Sequence, residues 1–210
     1  MLYSRKTFRF DLKAHQIGVL FSLFILITTS CFGQLRDSVY VKNDVFEVVY
    51  SEKLEQPKRV KYQVVCIDGQ FKRKGLDFYT HPTIHTSNHE DYNVNDWDKG
   101  HMAPAADFNC SKEQLQTTFS YLNCALQYYS LNRGPWKMLE EYERALVREH
   151  KLVSVEIKLV FSKTSVRLPS GATVPDGFYK TIRYGNKTEK YYFPNQIPKH
   201  SDFNHYKLKK

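Results

Sequence analysis

An α+β domain, an antiparallel sheet core with packed helices, is the fold that the sequence predicts, and three features predict it. Five short segments rich in β-branched and aromatic residues, spanning 45–50, 60–67, 153–161, 178–184 and 191–193, read as strands separated by turn residues. Two intervening segments, beginning near Ser111 and Pro135, repeat apolar residues at helical spacing. No internal repeat and no interior linker divides the 210 residues, which fit one domain of ordinary size.

The first 33 residues stand apart. Arg5, Lys6, Arg9 and Lys13 precede an apolar run from Ile17 to Ile27 that only Gly18 and Ser22 interrupt, and the small and polar stretch Thr28–Gly33 follows. A spanning helix needs roughly 20 apolar residues, so the run reads better as the h-region of a signal peptide, with cleavage after Gly33. An uncleaved membrane anchor and a lipidated Cys31 are the alternatives. The expected mature chain, residues 34–210, is then one domain in the periplasm or outside the cell. Four basic residues and one acidic residue leave with the signal, which lowers the net charge from +9 to +6. That surplus points to a polyanionic partner, nucleic acid first and an anionic membrane surface second, and no stable membrane association is expected after cleavage. With 15 Tyr, 14 Phe and a charged fraction of 25% the chain is too rich in core-forming residues to be disordered, and 9 Gly with 8 Pro exclude a collagenous one.

Within the domain, the strand 45–50 is followed by a polar loop, Ser51–Arg59, containing Pro57, and then by the strand 60–67. Asp68-Gly69 makes a turn. Lys72-Arg73-Lys74 opens an irregular stretch to about Asp96, and a loop of that length in a compact domain is usually functional. His81, His85 and His89 recur at intervals of four, which on a helix would suggest a metal site, but Pro82 argues against a helix there. Ser111 and Gln114 have capping-box spacing, and Leu115, Phe119 and Leu122 extend the helical pattern. The second helix starts near Pro135, with Gly134 before it, and runs through Trp136, Leu139, Tyr142 and Leu146 to about His150. Glu140 and Arg144 share a face of it, and a plain surface ion pair is the simplest reading of the two. Pro169-Ser170-Gly171 is a turn, and Lys207–Lys210 form a loose basic tail. Of the three remaining cysteines, Cys110 and Cys124 either bridge or, with Cys66, serve as small buried hydrophobes.

The chemistry concentrates in two segments. Trp97-Asp98-Lys99-Gly100-His101 runs into Met102-Ala103-Pro104-Ala105-Ala106-Asp107-Phe108, and a histidine beside an acid and a cation suits a general base. The second holds Asn123, Gln127, Asn132, Arg133-Gly134-Pro135-Trp136, Leu139-Glu140 and Arg144. Together they resemble the DNA/RNA non-specific endonuclease family, the sugar-non-specific nucleases with a ββα-metal active site. The family's Asp-Arg-Gly-His motif and Ala-Pro-Ala-Ala-Asp run look like Asp98 through Asp107. Its two asparagines, Gly-x-Trp and Leu-Glu helix look like Asn123, Asn132, Trp136 and Glu140. Weaker blocks extend the likeness over about 45–198. Lys99 stands where the family commonly has arginine, Leu126 where it has proline, and Lys158-Leu159 where it has Thr-Gly.

The resemblance implies a ββα-metal finger motif and a magnesium-dependent endonuclease, with manganese as a substitute metal. It implies His101 as general base and Asn132 as the direct metal ligand. Glu140 holds metal-bound water, Asn123 orients the base or phosphate region, and Arg144 contacts the phosphate or the acidic helix residue. Lys99 and Arg73 suit the backbone of DNA and RNA, because phosphate contacts position a strand without reading its bases. Two other outcomes are a catalytically weak nucleic-acid-binding protein on the same scaffold, and a secreted nuclease toxin with a cognate inhibitor protein.

Overall fold

The computed structural model describes residues 34–209 apart from Val65 and Ile67, and the expected signal peptide and its cleavage site lie outside the described residues. Eight strands form: β1 (Val39–Lys42), β2 (Phe46–Ser51), β3 (Gln56–Val64), β4 (Trp97–His101), β5 (Cys124–Tyr128), β6 (Val153–Val160), β7 (Gly177–Tyr184) and β8 (Lys187–Pro194). Six of them pair antiparallel in the order β1-β2-β3-β6-β7-β8, and β4 and β5 make a separate two-stranded ribbon.

Alternation builds the large sheet. In β6, Val153, Val155, Ile157 and Leu159 are buried while Ser154, Glu156 and Lys158 point the other way, the two-residue period of a strand with one face on a core. β2 contributes Phe46, Val48 and Tyr50 to the same core, β3 Val60, Tyr62 and Val64, and β8 Tyr191 and Phe193. The outer face carries a ladder of ion pairs instead, with Glu156 between Lys61 at 3.9 Å and Arg183 at 3.5 Å.

Helix α1 covers Lys112–Thr118, a short turn α2 covers Tyr129–Leu131, and α3 covers Lys137–His150. α3 closes the inner face of the sheet by burying Leu139 and Leu146. Trp136, just before it, is fully buried with Phe178 at 5.3 Å and Phe193 at 5.5 Å between ring centroids. One inward position is not apolar. Lys180 of β7 lies wholly inside the core, its Nζ 2.7 Å from Oε1 of Glu143 on α3 and 4.4 Å from the Trp136 ring centroid. The Tyr62 hydroxyl donates to the other Glu143 oxygen at 2.7 Å. Two buried charges thus face each other at ion-pair distance between the helix and the sheet, without a well-aligned hydrogen bond between them.

β3 and β6 are neighbours in the sheet but lie far apart in the chain, and the intervening segment holds β4, α1, β5 and α3. The β4–β5 ribbon places His101 opposite Cys124. Gly100 is needed in this ribbon for closeness: a Cβ there would meet the Gln127 side chain at 2.5 Å. Together with α3 the ribbon is a ββα unit inserted between the two halves of the sheet.

Several sequence expectations need correction. The Ser51–Arg59 loop is a tight turn at Glu52–Glu55, with Glu55 at φ 54°, and β3 already begins at Gln56. Pro57 is tolerated there because the pairing with β2 is irregular beside it, between Val49 and Tyr50. α1 ends at Thr118, so Leu122 belongs to a following 3-10 turn, Tyr121–Asn123. Ser111 does cap α1, accepting from the Gln114 N–H at 3.2 Å. The second helix begins at Lys137 rather than Pro135, because Gly134 leaves helical geometry and Asn132–Trp136 form a wide turn first. Cys110 is bonded to Cys66, not to Cys124, which is a buried free thiol. The backbone explains this pairing: Phe71 N–H donates to the Asn109 carbonyl at 3.1 Å, drawing residues 66–71 onto 109–110.

Candidate active site

The ββα unit opens onto a groove of about 870 Å³. His101, Lys99, Arg73, Asn132, Glu140 and Arg144 all line it, so six of the seven side chains expected at the site converge there. Asn123 does not. It is completely buried, its Oδ1 accepting from Ala103 N–H at 2.8 Å and its Nδ2 donating to the carbonyls of Ala103 and Thr118 at 2.9 Å each. It clamps the chain just beyond His101 to the end of α1, and so acts as a positioning residue that touches nothing in the groove.

His101 is the last residue of β4, and Lys99 two positions earlier shares its face. The imidazole packs between Phe78, with ring centroids 4.7 Å apart, and Phe119, edge-on at 4.8 Å. Its Nε2 is buried without a hydrogen-bond partner among the described residues. Burial first, and then the Arg73 cation, push the ring down to about 3, which leaves it neutral at pH 7. Arg73 lies in the loop that follows Cys66, where its carbonyl accepts from the Leu76 N–H at 3.1 Å.

Asn132 is oriented by a residue whose role the sequence reading left unassigned. Its Nδ2 donates to the Asp98 carboxylate at 2.9 Å, and the same carboxylate takes Arg133 Nε at 2.8 Å and Nη2 at 2.6 Å. A carboxylate can only accept, so the amide nitrogen must face Asp98 and the amide oxygen is left for other work. Asp98 and Arg133 sit inside the two quoted segments. What concealed them was pairing across 35 positions of sequence.

Glu140 is partly buried on α3. Burial pushes its carboxyl up to about 8; Lys180 opposes this, Glu143 and Asp107 add to it, and Arg144 opposes it again. The plain Glu140–Arg144 surface pair is not what forms. Arg144 turns instead to the fully buried Asp107, Nη1 to Oδ1 at 2.8 Å, and burial pushes Asp107 up to about 7 against that pairing. Lys99 lies 3.0 Å from the exposed Asp77 carboxylate, with its Nζ 5.6 Å from the Phe78 ring centroid. Lys137 adds a further cation to the lining.

Among the described residues no group of three or more His, Cys, Asp and Glu side chains could hold a metal ion. The donor set here is different: one amide oxygen turned away from Asp98, and one carboxyl group on α3 that burial holds largely protonated until a cation takes the proton's place. That set fits a hard cation such as magnesium, which keeps several waters when protein ligands are few.

The profile of a family described as DNA/RNA non-specific endonuclease matches residues 27–209. The chain is 37% identical over 84 residues to the mitochondrial nuclease EXOG of Danio rerio, covering 39% of this chain and 24% of that one. It is 33% identical over 90 residues to the mitochondrial endonuclease G of Homo sapiens, covering 41% and 30%. It is 30% identical over 131 residues to nuclease C1 of Cunninghamella echinulata var. echinulata, covering 55% and 52%. The matches therefore span between about a quarter and half of these relatives' own length. A solved structure of an EndoG/EndoGI complex shares the fold, with TM-score 0.73 and 23% identity over 81% of this chain and 80% of that one.

Proposed function

The chain belongs to the DNA/RNA non-specific endonuclease family, and on that premise we propose that it hydrolyses the phosphodiester backbone of DNA and RNA, leaving a 5′-phosphate and a 3′-hydroxyl. The observation that carries the proposal is His101: a neutral imidazole lining a groove with Asn132 and Glu140. The imidazole takes the proton from the attacking water through Nδ1, since Nε2 is buried. Arg73 and Arg144, with Lys99 and Lys137, hold the phosphate in reach of that water without reading bases. Asp98 leaves the Asn132 oxygen free, so that Asn132 and Glu140 would hold the cation. Magnesium, or manganese in its place, supplies Lewis-acid stabilisation of the charge that builds on phosphorus and on the departing 3′-oxygen.

We further propose that residues 1–33 are an export signal and that residues 34–210 act as one nuclease domain in the periplasm or outside the cell. The Cys66–Cys110 bond supports an oxidising compartment. A solved relative was captured with EndoGI in a study of inhibition, which supports an inhibitor protein as a partner class. One observation favours the second reading, a nucleic-acid-binding protein with weak catalysis: Lys99 is engaged by Asp77 and lacks the planar fork of arginine.

The test is incubation of plasmid and of RNA with the protein, in magnesium or in EDTA, beside His101→Ala and Asn132→Ala. Metal-dependent degradation of both substrates, reduced by at least about a thousandfold in each variant, is expected if base and metal site act together. Equal cleavage by wild type and His101→Ala refutes the mechanism, and binding without cleavage in every metal establishes the second reading.

A further inference from the structure

Tyr129 has no part in the hydrolysis just described, yet it stands one helical turn before the groove. Its spacing of three and four residues from Asn132 and Arg133 puts it on their side of the α2 turn. It is a large aromatic residue, 41% exposed, beside a groove rich in cations. Arg133, which lines that groove, carries its guanidinium 5.7 Å from the Tyr129 ring centroid.

The ring is not loose. Its backbone N–H donates to the Asp96 carbonyl at 3.0 Å, and its ring lies 4.9 Å from that of Tyr128 at a tilt of 32°. Tyr128 is fixed in turn by its N–H, which donates to Asn195 Oδ1 at 2.8 Å, and by Trp97, which meets it edge-on at 5.7 Å. Trp97 rests on the apolar cluster of Leu126, Ala172 and Val174. A graded ledge therefore runs from the core outward through Trp97, Tyr128 and Tyr129, and ends beside the arginine at the groove wall. Held aromatic surface of this kind costs little entropy to use.

We propose that Tyr129, backed by Tyr128 and flanked by Arg133, is a nucleobase-stacking subsite that takes an unpaired base of the strand whose phosphates lie in the groove. The proposal deepens the nuclease reading and rests on it. Every base has a π-face, so such a subsite adds affinity without adding sequence preference. It does add a preference for strand type. A base in a duplex is already stacked and paired, and must be pulled out before it can reach Tyr129. The protein thus favours single-stranded and unwound nucleic acid over intact duplex.

The test is fluorescence anisotropy of the whole protein in EDTA with three labelled probes: an oligothymidylate, an abasic strand of the same length, and a duplex. Tyr129→Ala weakens binding of oligothymidylate about tenfold and leaves the abasic strand and the duplex unchanged. Tyr129→Trp restores the loss. Tyr179→Ala, which removes an equally exposed ring paired with Tyr192 at 4.7 Å on the β7–β8 surface, changes none of the three. In magnesium, Tyr129→Ala raises KM for single strands by the same factor with kcat unchanged. Wild-type affinity for oligothymidylate in Tyr129→Ala overturns the subsite, and so does an equal loss on the abasic strand. Absence of cleavage by the wild type sinks the hydrolytic reading alone, because the binding comparison still reads the ledge.

Discussion

Asp98 is the residue whose replacement best separates the site's organisation from its mere presence. Its carboxylate accepts from the Asn132 amide at 2.9 Å and from two nitrogens of Arg133 at 2.8 and 2.6 Å. In Asp98→Ala the Asn132 amide loses the only acceptor that distinguishes its nitrogen from its oxygen, and the two ends of the group exchange freely. A hydrogen bond to a charged group is worth about 1.5–3 kcal/mol, which converts to roughly 10–100-fold in the population of the oriented amide. The same range is typical of outer partners of metal ligands. Because the Asp98 side chain keeps 18% exposure, the lower half of that range is expected. The half-saturating magnesium concentration for cleavage therefore rises about 10–30-fold, while the rate at saturating magnesium falls much less. Asp98→Asn restores part of the loss, since its amide oxygen can still accept from Asn132. Folding is the control: the Arg133 side chain is 69% exposed, so losing this pair costs about 1 kcal/mol or less and the melting temperature barely moves. An unchanged magnesium dependence in a folded Asp98→Ala protein refutes the assignment of Asn132 as the ligand held by Asp98.

Three further predictions follow from the buried charges. With Glu140 pushed up to about 8, a proton competes with the cation, so half-saturating magnesium falls roughly tenfold per pH unit between pH 6 and 8 and levels above it, as magnesium titrations of cleavage at stepped pH will measure. The sign for stability is the opposite: a carboxyl raised above its unfolded value near 4 contributes stability that is complete below that value and lost as pH rises through about 8, so in EDTA Glu140→Gln melts higher than wild type at pH 8 and equally at pH 4. Lys180→Met strands Glu143 in the core and costs about 3–5 kcal/mol in denaturant unfolding, and adding Glu143→Leu recovers most of it; equal stability of wild type and Lys180→Met would sink the pairing.

The sheet was legible where burial follows the strand period. β2, β6 and β7 announce themselves by β-branched and aromatic residues, and the structure begins and ends them within a residue or two of the predicted bounds. β4 could not be read that way. Its sequence Trp-Asp-Lys-Gly-His is polar because it is half of a ribbon that lines a groove, and the glycine that permits the ribbon looks locally like a turn residue. Lys180 was hidden for the converse reason: a lysine within a strand pattern reads as outward-facing, and only the glutamate arriving from α3 makes its burial tolerable. The cysteine pairing depended on a loop whose return to residues 109–110 is set by backbone hydrogen bonds and leaves no compositional trace.

The site shows the same division between chemistry and support. His101, Asn132 and Glu140 were nameable because each carries a functional group that a phosphodiester hydrolase needs, and the family pattern fixes their order along the chain. Asn123 belonged to the same pattern, yet its three hydrogen bonds are all spent on backbone, two of them on Ala103. Its part is to hold the geometry of the residue two positions after the base, and an asparagine doing that looks in sequence like one that binds a ligand. The converse holds for Asp98 and Arg133, whose contacts join β4 to the turn before α3. A charge pair of this kind joins the two segments into one unit, in which the proposed base on the strand and the proposed ligand on the turn are held together. Rigidity between those two groups is what the proposed hydrolysis asks of the fold, because a general base and a cation ligand must reach the same phosphate together.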